Sequence, residues 1–213
     1  MKKPLVGIIN ISINNILSIQ RALEYIGFQT RIINEDESVD KFDLVVLPGV
    51  GAYHEAMKKL KLSKLIKTVE DSLEKEKNFL GICLGMQLLF RESEEFGNTL
   101  GIGFFDGKIE SFEKYKVKKK TFIGWNKVDF INSKNEDNNI FNNFKDSNNI
   151  FYSIHSFFAN CDDKSIVIGS SFNGSLNFTS CVRKKNVTAF QFHPEKSGIN
   201  GLRLLKSVTK NVF

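Results

Sequence analysis

Apolar residues follow two rhythms along this chain, short uninterrupted runs and stretches with helical spacing, and through the first ninety positions the two alternate. Runs at 5–9, 30–34, 44–47 and 79–82 read as buried strands. Helical periodicity covers 16–26, ending before Gly27, then about 52–60 and 63–75, the last with Lys and Glu on its polar side. A further helix is expected from Leu84 to about Arg91. Alternation of strand and helix predicts an α/β fold: a mostly parallel, doubly wound sheet with helices on both faces, joined by right-handed crossovers.

Beyond Gly97 the rhythm changes. Gly101, Gly103 and Gly107 separate aromatic and β-branched runs at 108–112, 127–131, 150–155, 165–170 and 177–182, which predict antiparallel strands added to the sheet in the C-terminal half. Residues 132–149, rich in Asn, Asp and Lys, predict an exposed loop with at most a short helix at 140–144. A last strand over 187–192 leads into His193-Pro194-Glu195, and 198–212 reads as a terminal helix. No repeat or linker interrupts the pattern, so 213 residues, 41% of them hydrophobic, are expected to form a single domain spanning 1–213.

Charge and cysteine usage narrow the classes. The net charge is +6, yet Lys and Arg are dispersed and the densest run, 114–120, falls in a predicted loop, which argues against nucleic-acid binding. Cys83, Cys161 and Cys181 are an odd number without a Cys-x-x-Cys pair, so neither a disulfide framework nor a zinc site is expected, and a free thiol fits a reducing cytoplasm. The apolar run after Lys2-Lys3 is broken by Asn10, Asn14 and Asn15 and reads as a first strand, not a signal peptide. No stretch approaches the roughly 18 apolar residues a membrane span needs.

Candidate chemistry centres on Gly81-Ile82-Cys83-Leu84-Gly85, where a buried strand turns sharply into a helix. This is a nucleophile elbow with cysteine at its apex, and a Cβ at either glycine would crowd neighbouring main chain. The helix start favours a negatively charged sulfur, and the N–H of Leu84 can bind an oxyanion. His193 ends an apolar strand, where α/β sheets place catalytic groups, and Pro194 fixes the backbone so that Glu195 can hold one ring nitrogen while the other faces the thiol. Pro48-Gly49-Val50-Gly51 also follows a strand; its peptide planes could rotate to bring an N–H of Val50 or Gly51 into the same oxyanion hole, or it could be an ordinary loop. Gln87, one helical turn after Cys83, is placed either to touch a substrate or to be satisfied by backbone.

These pieces, with Gly124-Trp125-Asn126, Ile154-His155-Ser156 and Gln191 to Gly198, resemble the class I, triad-type glutamine amidotransferases along the whole chain, and within them the glutaminase subunit of imidazole glycerol phosphate synthase. The resemblance implies hydrolysis of L-glutamine by Cys83, with His193 as acid and base and Glu195 orienting it, and no metal or organic cofactor. It implies substrate contacts at Gly49, Gln87, His155 and Ser156, and an oxyanion hole of Val50, Gly51 and Leu84 completed when a partner signals readiness. It further implies a heterodimer with a (β/α)8-barrel synthase that receives the ammonia for histidine biosynthesis, with Asn15, Trp125 and Lys196 near that interface. Two segments depart from the family pattern: Asn10-Ile11-Ser12-Ile13-Asn14-Asn15, and Thr121-Phe122-Ile123 before Gly124-Trp125-Asn126, which lacks the usual Pro-His. Both lie in regions the family assigns to the partner. Other readings are the same glutaminase serving a sugar amidotransferase in surface-polysaccharide synthesis, a free-standing cysteine hydrolase, and a silent binding subunit.

Overall fold

A computed structural model of the chain describes residues 3–11, 16–35, 37–131, 144 and 149–212. The first half follows the predicted alternation: β1 (Leu5–Ile9), α1 (Ile16–Tyr25), β2 (Gln29–Ile33), β3 (Leu44–Gly49), α2 (Tyr53–Leu62), α3 (Leu65–Glu74), β4 (Asn78–Cys83) and α4 (Leu84–Leu88). β3 is buried at every position because both faces of the sheet are covered. Leu44 and Val46 pack into the core shared with α1, while Val45 and Leu47 enter the core shared with α2 and α3.

The expected helix from Leu84 to Arg91 is corrected: it stops at Leu88, and Phe90–Ser93 is a strand, β5. Its last carbonyls are taken by a distant segment, with Ile102 N–H donating to Leu88 O, Phe105 N–H to Leu89 O and Gly103 N–H to Phe90 O. Those bonds replace the helical ones, and Phe90 packs its ring 5.3 Å from Phe105.

The second half adds β6 (Thr99–Leu100), β7 (Phe105–Ser111), β8 (Phe122–Lys127), β9 (Asp129–Phe130), β10 (Ile150–His155), β11 (Phe157–Cys161), β12 (Val167–Asn173), β13 (Leu176–Lys184), β14 (Val187–Phe190) and α5 (Gly198–Val208). The main sheet runs β2-β1-β3-β4-β14-β13-β11-β7-β5-β6, with β12 and β9 branching from β13. It is parallel from β2 to β14 and antiparallel from β14 to β7, as the change of rhythm predicted. The 150–155 run is not added to that sheet, however. β10 pairs antiparallel with β8 as a separate ribbon, pinned where Phe151 stacks on Phe192 at 4.4 Å. Only 144 and 149 of the predicted 132–149 loop are among the described residues, so its short helix at 140–144 lies largely outside them. Among the described residues no helix is long and apolar enough to cross a membrane.

Candidate active site

The elbow forms at the C-terminal edge of the parallel strands. Cys83 ends β4 with φ 55° and ψ −111°, a strained conformation for a non-glycine residue that turns its side chain out of the sheet before α4 begins. The tight turn brings α4 against β3, and a Cβ on Gly85 would sit 1.7 Å from Leu47 O. At Gly81 the neighbours are Met86 Cα, Leu89 Cδ1 and Ala189 Cβ, each 3.1 Å from an added Cβ. β3 extends through Gly49, two residues beyond the expected end, and Gly49 pairs in register with Cys83.

β14 lies directly beside β4, with Phe190 opposite Ile82, so the chain leaving β14 delivers His193 next to Cys83. His193 is fully buried and its main chain is clamped: its N–H donates to Tyr152 O at 2.8 Å, and its carbonyl accepts from Ser197 Oγ at 2.6 Å. Pro194 opens a single 3-10 turn, Pro194–Lys196, that swings the Glu195 carboxylate to 2.8 Å from His193 Nδ1. With Nδ1 engaged by Glu195, Nε2 is the ring nitrogen left to serve the Cys83 sulfur, whose charge acts on the ring. Burial pulls the ring toward its neutral form, but the Cys83 sulfur and the Glu195 carboxylate outweigh it and push the His193 pKa up to about 10.

A cavity of about 330 Å³ opens over Cys83. Val50, Gly51 and Leu84 line it, as do Gln87, His155, Ser156 and Lys196, whereas Gly49, expected as a substrate contact, and the His193 and Glu195 pair are not among its lining residues. Gly51 has φ +105° with open space around it. Gln87 answers the open choice in part: it borders the cavity, yet its Nε2 donates to Phe157 O and to Gln191 Oε1, both at 3.1 Å. The His155 ring belongs to an aromatic cluster with Phe112, Phe122 and Phe178, and its Nδ1 lies 2.9 Å from Phe157 O. Burial, helped by the nearby His193, pushes its pKa down to about 4. Ser156 Oγ meets Thr121 Oγ1 at 2.8 Å. Trp125 stands outside the cavity on the outer face of β8, and Asn15 lies outside the described residues.

The class-I glutamine amidotransferase family model matches residues 8–209. The chain belongs to the class-I glutamine amidotransferase family. It is 38% identical over 209 residues to the imidazole glycerol phosphate synthase subunit HisH of Sulfurimonas denitrificans, covering 97% of this chain and 98% of that one. It is 38% identical over 202 residues to HisH 2 of Vibrio vulnificus, covering 94% and 91%. Among solved structures, a chain of PurLQS from Thermotoga maritima superposes with TM-score 0.78 at 21% identity over 100% of both chains. A glutamine amidotransferase from the same organism gives 0.64 at 19%, covering 99% of this chain and 84% of that one. The fold is therefore that of the amidotransferases, as expected.

Two features of this amidotransferase escaped the sequence reading. Glu95 lines the cavity and accepts from the Tyr53 N–H at the start of α2 at 2.7 Å. Gln191 is buried, with its Nε2 3.9 Å from Cys83 Sγ. Glu95 stands in no pattern that distinguishes it from an ordinary polar residue, and Gln191 was visible only as the first residue of the Gln191 to Gly198 segment, with no role of its own.

Proposed function

We propose that this amidotransferase is the glutaminase subunit of an imidazole glycerol phosphate synthase, a single-domain cytoplasmic protein that hydrolyses L-glutamine to glutamate and ammonia. The ammonia passes to a (β/α)8-barrel synthase subunit, with which the chain forms a heterodimer serving histidine biosynthesis. The observation that carries this reading is its end-to-end similarity to HisH subunits, which favours the histidine pathway over a sugar amidotransferase. Cys83 and the His193 and Glu195 pair, held at adjoining strand ends, supply the chemistry the reading needs.

The Cys83 sulfur attacks the side-chain amide carbon of glutamine, and the oxyanion is held by the N–H of Leu84 with one from Val50 or Gly51. His193 gives its proton to the departing nitrogen, leaving a thioester. It then takes a proton from water, which releases glutamate, while Glu195 keeps Nε2 facing the sulfur. In the cavity the Glu95 carboxylate suits the substrate's ammonium and the exposed Lys196 its carboxylate. The outer face of the β8 and β10 ribbon presents Ile123 (53% exposed), Trp125 (59%) and Ile154 (41%), an apolar patch that supports a partner surface. A free-standing hydrolase would leave that patch uncovered. The test is glutamine turnover by the chain with and without a barrel synthase and its ligand. Cys83→Ala is expected to abolish turnover in the complex while the chain stays folded; measurable turnover in that variant overturns the assignment.

A further inference from the structure

We propose that Gln191 is a positioning residue for the nucleophile, its side-chain amide N–H donating to the Cys83 sulfur and holding it ready as an anion. This rests on the reading of Cys83 as nucleophile. Gln191 is 1% exposed, and its backbone N–H is fixed on Ser180 O at 2.8 Å. Its Nε2 lies 3.9 Å from Cys83 Sγ. A primary amide could present either its oxygen or its nitrogen to the sulfur, and the surroundings decide which.

The deciding group is the carbonyl of Phe157, 3.1 Å from the end of the Gln87 side chain. A carbonyl oxygen only accepts, so Gln87 must present its NH2 there. The same NH2 lies 3.1 Å from the Gln191 amide, so Gln191 must offer it the oxygen. That orientation turns the Gln191 NH2 to Cys83. A main-chain carbonyl on β11 thus fixes, through two buried amides, the polarity of the group that meets the sulfur.

The other contacts of the sulfur give this donor its use. Ile154 O, 4.0 Å away, can accept only from the protonated thiol. His193, backed by Glu195, serves the anion while it carries its proton. Glu95 and Lys196 are the remaining charged groups on the cavity wall. Gln191 differs from all of these because it is an uncharged donor at every protonation state of His193. It therefore keeps a site for the sulfur both when the histidine has given up its proton and when the thioester expels sulfur as the leaving group.

The test is carbamidomethylation of the full-length chain by iodoacetamide across pH, followed at Cys83 by peptide mass spectrometry. Cys83 lines the cavity, whereas Cys161 and Cys181 do not, and burial pushes both of their thiols up, so they do not compete. Gln191→Met keeps the length and removes the donor. The Cys83 rate at pH 7 is expected to fall about tenfold, with the pH profile moving to higher pH. In the synthase complex, kcat for glutamine should fall by a similar factor with KM within about twofold. Gln191→Glu, of the same shape but with an acceptor, should lose more, and it serves as the probe if the Met variant fails to fold. An unchanged alkylation profile in either folded variant, or a raised KM at constant kcat, overturns the proposal. Because alkylation reads the thiol without glutamine, it can succeed even if Cys83→Ala shows that another group attacks the substrate.

Discussion

At the scale of single residues, His155 and His193 show how one side chain takes opposite roles in neighbouring environments. His193 gains a carboxylate and a sulfur, whereas the His155 ring gains aromatic neighbours and one carbonyl. With its pKa lowered to about 4 from 6.5, folded His155 stays neutral where the unfolded chain would be protonated. The unfolded state therefore binds more protons between those values, so the stability is fully present above about pH 6.5 and declines as pH falls toward 4. For a fully buried ring the loss is at most about 3 kcal/mol. His155→Phe should flatten the fall in Tm between pH 7 and 4.5 relative to the native chain, and parallel curves would contradict this. The sequence showed Cys83, His193 and Glu195 because each sits in a short local pattern that its chemistry demands. His155 entered as a substrate contact through the family resemblance, and it does line the cavity; nothing local revealed that its ring lies among Phe112, Phe122 and Phe178.

At the scale of elements, the site depends on Gly85 in the elbow and Gly51 in the loop after β3 for different reasons. Gly85 is required by space, since an added Cβ would collide with the main-chain oxygen of Leu47, which cannot move without breaking β3 from β4. Gly51 is required by conformation alone, having positive φ and open surroundings. Gly85→Ala should cost more than about 3 kcal/mol in urea unfolding, while Gly51→Ala should cost about 1 kcal/mol and act mainly on kcat through the Val50 and Gly51 peptides. Equal costs at the two positions would sink the distinction. The parallel strands were legible because each is a buried run bounded by turns. The end of α4 was not, because what stops it is a set of N–H groups from 102, 103 and 105 that become neighbours only after folding. The ribbon of β8 and β10 was half seen: the 150–155 run is plainly a strand, but its partner alternates Phe122, Ile123, Gly124, Trp125, and a glycine with φ +135° broke the pattern.

At the scale of the whole molecule, the ribbon links the apolar outer patch to the nucleophile. Ile154 pairs with Ile123, Tyr152 pairs with Trp125, and the ring centroids of Trp125 and Tyr152 lie 5.9 Å apart. Behind them the Ile154 carbonyl is 4.0 Å from Cys83 Sγ, and the Tyr152 carbonyl accepts from the His193 N–H. A partner seated on this face, as proposed, would press on a two-stranded element that holds main-chain groups at both Cys83 and His193. Trp125 contributes little to folding, being more than half exposed, yet an exposed tryptophan within an apolar patch is the kind of residue that anchors an interface. Trp125→Ala should therefore leave Tm nearly unchanged and weaken binding of the proposed barrel synthase by about 2 kcal/mol, roughly thirtyfold in Kd. Stimulation of glutamine turnover by the synthase should fall in parallel at subsaturating concentrations and recover as the synthase is raised. If stimulation stays low even at saturation, the tryptophan transmits the signal as well as anchoring the partner; if Kd is unchanged, the partner docks elsewhere and the patch has another use.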